Sequence, residues 1–192
     1  VNGKTNNFET DLFQDLLSQL EQLTGTDRTK DPKRFHMIAD HVRAIVFLIA
    51  DGVFPENTKH GYVLRRLLRR AKLAGYQLGI REPFLAKMAE TEIGMMQDHY
   101  TYLVPLQEKI KLITQKEEEQ FQSTLEDGFK VFQQELEKTQ TLFSGKVAFK
   151  LHDTFGFPIE LTREMLEEKN IPLEEEVFFQ LIQEQKTRAK KE

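Results

Sequence analysis

Five cations crowd one short segment: Arg65, Arg66, Arg69, Arg70 and Lys72, within GYVLRRLLRRAKLAG. Lys59 and His60 precede them, Arg81 follows, and no Asp or Glu occurs from Thr58 to Arg81. A guanidinium forks onto a phosphate through two parallel hydrogen bonds, whereas a lysine ammonium meets it as a point charge. At about 100° per residue the five cations span an arc of roughly 160°, with Val63, Leu64, Leu67, Leu68 and Ala71 opposite. Such a helix packs one face into a core and offers the other to a polyanion. Two further readings stay open: a solvated face, or arginines paired with acids of the long helix further along. The acids gather at Glu117–Glu119 and Glu174–Glu176, and the first group reads as a solvated helical face.

Two short polar side chains stand at turns. Asn57 lies in Pro55-Glu56-Asn57, and Asp153 lies in HDTFGFP ahead of Gly156 and Pro158. An Asn amide presents donors and an acceptor, and a carboxylate accepts from exocyclic amino groups such as that of guanine in the minor groove. Turn chemistry alone also accounts for both, because Asn and Asp bond their own neighbouring backbone. The five histidines, His36, His41, His60, His99 and His152, show no HxxxH pair; His36 and His41 fall on different helix faces. There is no Cys, so disulfides and thiolate metal sites are excluded, and no metal site is expected. No Walker, dinucleotide or nucleophile-elbow pattern occurs, so no catalytic residue is assigned.

The elements that must position these groups read as helices. Of 192 residues 39% are hydrophobic and 30% charged, enough apolar material for a core. Phe8, Leu12, Phe13, Leu16, Leu17, Leu20 and Leu23 mark a first helix. Asp31 and Pro32 open a second, apolar nearly all round in its later half and stopped by Gly52. The basic helix ends near Gly75 or Gly79. From about Asp98 to Gln140 runs a long pattern, with Pro105 near its start, suggesting a protruding hairpin. Residues 145–157 leave a short two-stranded element and a short helix equally open. Pro158 to Lys169 and a segment from about Leu173 read as final helices, the last fraying into KTRAKKE. The expected fold is all-α, mostly antiparallel helices. The longest apolar run, Ala44–Ala50, is too short for a membrane span, so no membrane is expected. The net charge of −4 hides the local basic surface, and local fields, not totals, steer polyanions.

IADHVRAIVFLIADGVFPEN followed by GYVLRRLLRRA, and later LHDTFGFPIELT, resemble the region that follows the catalytic core of alanyl-tRNA synthetases. FETDLF and KEEEQFQSTLEDG also look familial, so the resemblance covers residues 1–192 as one tRNA-recognition domain. It implies a class II ligase that joins alanine to its tRNA with ATP, in the cytoplasm. It places a catalytic domain before Val1 and a zinc-binding editing domain after Glu192 as partners in one parent chain. No cofactor is implied for this stretch itself, while ATP and zinc are implied for the parent. It further implies that Asn57 and Asp153 read a G·U wobble pair in the acceptor stem. Lys59, His60, Arg65, Arg66, Arg69, Arg70 and Lys72 would then hold the RNA backbone. RNA, not DNA, is the partner; the wide minor groove of an A-form stem admits such side chains. Two positions depart from the family pattern. His60 stands where Arg is usual, an imidazole whose charge depends on pH, and Phe155 replaces a Tyr. The alternative is a helical scaffold between catalytic and editing domains, without base readout and with its arginines paired to acids.

Overall fold

The computed structural model describes Gly3 and residues 6–188. Eight α-helices are formed among them: α1 (Asp11–Thr24), α2 (Pro32–Ala50), α3 (Lys59–Gln77), α4 (Leu85–Met96), α5 (Gln107–Lys138), α6 (Gly145–Asp153), α7 (Ile159–Glu167) and α8 (Glu175–Arg188). The all-α expectation holds. The two-stranded option for 145–157 does not, because Gly145–Asp153 is helical. The only extended pairing among the described residues is an isolated parallel bridge, Phe143 with Leu173. Of the expected frayed end KTRAKKE, Lys186 to Arg188 finish α8 and the remainder lies outside the described residues.

The chain divides into two compact units, residues 1–120 and 121–192, and the division falls within α5. In the first unit, Phe13, Leu16, Leu17 and Leu20 bury one stripe of α1, while Leu12 stays exposed. Gly25, at φ 63°, closes α1 by donating its N–H to the Glu21 carbonyl, a left-handed cap that glycine adopts without a Cβ penalty. The Asp31 side chain accepts from the Arg34 N–H, and Pro32 follows it, so α2 begins as its sequence requires. Phe35, Ile38, Ala39, Val42, Ile45, Val46 and Ile49 are all buried along α2, the central helix of this core. Leu64, Leu68 and Ala71 bring α3 against it.

A 3-10 turn, Thr101–Leu106, carries Pro105, and the α-helical ladder of α5 starts after it, since Pro offers no N–H to continue one. In the second unit Phe121 of α5 packs against Phe157 and Phe132 against Phe143, and Leu125, Ala148, Leu151 and Phe178 are buried as well. Gly145 opens α6 flush against the start of α8. A Cβ there would stand 2.3 Å from the Glu174 carbonyl oxygen.

Candidate functional site

Residues 51–58 form the connection between α2 and α3, and all of 56–60 are exposed. The loop sits directly on the first turn of α3. A Cβ on Gly61 would stand 2.4 Å from the Phe54 carbonyl oxygen, 2.6 Å from the Glu56 Cβ and 2.8 Å from the Glu56 nitrogen. Two of those three neighbours are backbone, so only glycine lets the loop lie where it does. Gly61→Ala is therefore expected to displace residues 54–57 and to destabilise the chain by about 1–3 kcal/mol, the usual cost of overpacking. A thermal melt reports this, and a midpoint equal to that of the unchanged chain would contradict the close approach.

Asn57 is fixed within this loop by Arg65, whose Nη1 donates to the Asn57 Oδ1. Arg65 also donates from Nη2 to the Pro55 carbonyl at 3.3 Å, and its Nε lies 3.1 Å from the Glu117 carboxylate. Glu117 is buried and takes Arg69 as well, at 2.7 Å. One carboxylate of α5 thus anchors two of the arginines expected to face outward. Lys59, at φ 51°, and His60 are exposed at the head of α3. Arg66 and Arg70 are half-buried, and Arg70 Nη1 lies 3.3 Å from the His41 Nε2. Burial and the neighbouring Arg70 charge hold the His41 imidazole below its ordinary value, so the neutral ring accepts from the guanidinium.

Lys72 departs furthest from the expectation. It is fully buried, with its Nζ 3.1 Å from Glu118 and 2.9 Å from the Glu82 carbonyl oxygen, so it belongs to the core and not to the basic face. Glu117 and Glu118 correct the reading of residues 117–119 as a solvated face, since only Glu119 is exposed. Glu118 also accepts from the Phe84 and Leu85 N–H groups, each at 2.9 Å. Those are orphan donors at the head of α4, whose N-cap Phe84 has no side chain able to satisfy them. Desolvation pushes the Glu118 carboxyl up and the Lys72 ammonium down, each opposed by the charge of the other. Helical phase carried a signal for Glu117: it falls seven residues after Ile110 and four before Phe121, both buried.

In the second unit Asp153 ends α6 and is exposed, and its Oδ1 accepts from the Gln185 side-chain amide of α8. The following turn is held from α5. Thr124 Oγ1 donates to the Phe155 carbonyl at 2.8 Å, and a Cβ on Gly128 would meet the Phe157 ring at 2.5 Å. Gly156 makes the bend at φ 70°. Gln185 carried no mark in the sequence, and Thr124 and Gly128 lay in a stretch marked only as familial, because their roles depend on partners distant along the chain.

Among the described residues no group of three or more His, Asp or Glu could hold a metal ion, and no helix is long and apolar enough to cross a membrane.

Residues 1–192 match the family described as tRNA synthetases class II (A). The chain is 48% identical over 189 residues to the alanine–tRNA ligase of Wolinella succinogenes, covering 98% of this chain and 22% of that protein. Against the alanine–tRNA ligase of Campylobacter jejuni subsp. doylei it is 46% identical over 189 residues, with the same shares covered. Against that of a Sulfurovum species it is 44% identical over 191 residues, again 98% of this chain and 22% of the relative. The chain thus spans about a fifth of the length of the curated relatives it matches.

Proposed function

The chain belongs to the tRNA synthetases class II (A) family, and on that premise we propose that it binds the acceptor stem of an alanine tRNA and reads a G·U wobble pair there. The parent activity we propose is the cytoplasmic ligation of alanine to that tRNA with ATP. Asn57 and Asp153 are the base-reading residues, and Lys59, His60, Arg66 and Arg70 the groups that meet the RNA backbone. The observation that carries this reading is the exposed Asn57, held by Arg65 in a loop clamped on Gly61 beside exposed Lys59 and His60. Asp153 supports it as an exposed carboxylate at a helix end. In a G·U pair the guanine amino group is left unpaired in the minor groove, where a carboxylate is a fitting acceptor. Arg65 and Arg69 act mainly through their pairing with Glu117, and Lys72 stands outside the interface. ATP and zinc go with the parent's catalytic and editing domains, and no step through either is assigned to these residues.

A second reading is favoured by those same ion pairs: a scaffold whose cations are spent on internal carboxylates. Titration separates the two. Acceptor-stem duplexes carrying G·U or G·C at the wobble position are titrated with the unchanged chain, Asn57→Ala and Asp153→Ala across a salt series. The recognition reading expects a G·U preference, salt-steep binding, and about 1–3 kcal/mol of lost discrimination in each variant. Equal discrimination by all three proteins removes the two residues from the interface. Absence of binding to any stem at low salt leaves the scaffold.

A further inference from the structure

We infer that Arg65 is a positioning residue that locks the Asn57 amide so that its N–H donors, more than its half-engaged oxygen, face its ligand. The inference rests on the base-reading role proposed above and narrows it. A guanidinium has donors and no acceptor, so the amide atom it contacts must be the oxygen. The contact runs from the Arg65 Nη1 to the Asn57 Oδ1, so one lone pair of the oxygen is engaged while both Nδ2 N–H groups stay open to a ligand. No other side-chain hydrogen bond to Asn57 is made among the described residues. Arg65 can act this way because it is itself held from two sides. Its Nε lies 3.1 Å from the buried Glu117, and its Nη2 donates to the Pro55 carbonyl in the same loop. Side chain, loop backbone and carboxylate therefore form one unit that fixes both where Asn57 sits and which way its amide faces.

The consequence is a sharper ligand chemistry. Free in solution an Asn amide matches donors and acceptors alike. Locked, with its oxygen already engaged once, it favours an acceptor: a pyrimidine O2, a purine N3 or a ribose 2′-oxygen in the minor groove. Asn57 and Asp153 then carry opposite chemistry, one donating and one accepting. Arg65 spends its fork on this task, so its charge is not the phosphate contact that its place in the basic run suggests.

Arg65→Lys tests this. Lysine keeps the charge, but its single nitrogen cannot bridge Glu117, Pro55 and Asn57 together. Glu117 retains Arg69 at 2.7 Å, so the variant keeps its core pairing. The first measurement is the 15N order parameter of the Asn57 side-chain amide in the RNA-free 192-residue chain. It is expected to fall clearly in Arg65→Lys. The second is stem titration. The G·U over G·C preference is expected to drop about five- to tenfold, the worth of one well-made hydrogen bond, with the salt slope unchanged. An unchanged order parameter overturns the lock. A preserved preference with binding weakened equally on both stems also overturns it, and makes position 65 a backbone contact that needs the guanidinium fork. If the unchanged chain shows no preference between stems, base reading fails, and the order parameter alone decides for or against the lock.

Discussion

Replacing Glu118 by Ala is expected to destabilise the chain by about 3–5 kcal/mol, because it strands a buried ammonium. Glu118 is 1% exposed and Lys72 0% exposed, so water cannot replace the lost carboxylate. Lys72 would keep the Glu82 carbonyl at 2.9 Å and the Phe84 ring face at 5.4 Å, neither of which carries a charge. The Phe84 and Leu85 N–H groups would lose their acceptor at the same time, which uncaps α4. Equilibrium denaturation measures the cost, and a loss below about 1 kcal/mol would show that the pair carries little. The double variant Lys72→Met with Glu118→Leu separates the two contributions. Removing both charges restores the share due to the ion pair, since well-packed apolar groups often equal a buried pair or exceed it. What remains is the cap, about 1–2 kcal/mol. Full recovery would mean the two N–H groups find another acceptor.

Phe157→Ala is expected to cost about 3–5 kcal/mol in the second unit, where a fully buried ring would leave a cavity. Phe157 is 0% exposed and packs edge-on to Phe121 with ring centroids 5.4 Å apart. Its other neighbour is Gly128, where even a Cβ would stand 2.5 Å from the ring, so the ring is gripped closely on α5. The Phe157 N–H also bonds the Leu151 carbonyl at 2.9 Å, closing the turn that begins at Asp153. Loss of the ring should therefore loosen that turn as well as the core, and weaken any contact made through Asp153. Phe157→Leu fills most of the space and should cost less than about 1.5 kcal/mol. Equal costs for the two variants in denaturation would mean that volume at this site is not what matters.

Several elements were legible in the sequence. α2 could be placed from Asp31 and Pro32 at its head, its apolar run and Gly52 at its end, all of them local signals. α6 could not be told from a strand. Val147, Phe149 and Leu151 alternate, while Ala148 and Leu151 step by three, and nine residues are too few to separate the periods. Helix prevails there because a strand needs a neighbour to pair with, and beside it the described residues offer only the single Phe143–Leu173 bridge. Asn57 and Asp153 were singled out through their motifs, and both are exposed at element ends. The residues that hold them, Arg65 for one and Gln185 for the other, were not distinguishable. A hydrogen bond between residues of distant elements leaves no periodic trace.

The sequence by itself determined most of the helices, α4 and α6 excepted, their buried stripes and the family, since these depend on spacing within a turn or two and on contiguous motifs. Tertiary structure alone decided the fate of the charges. On a helical wheel Lys72 and Arg69 belong to one basic face with Arg66 and Arg70. In the fold, Glu117 and Glu118 of α5 draw Arg65, Arg69 and Lys72 inward, while Lys59 and His60 at the head of α3 stay exposed. The reason is physical. Burying a charge is unfavourable unless a partner meets it, and whether one does depends on which helices lie side by side. Periodicity is local and can be read along the chain. The pairing of charges is set by the contact of α3 with α5, and only the folded chain brings that contact about.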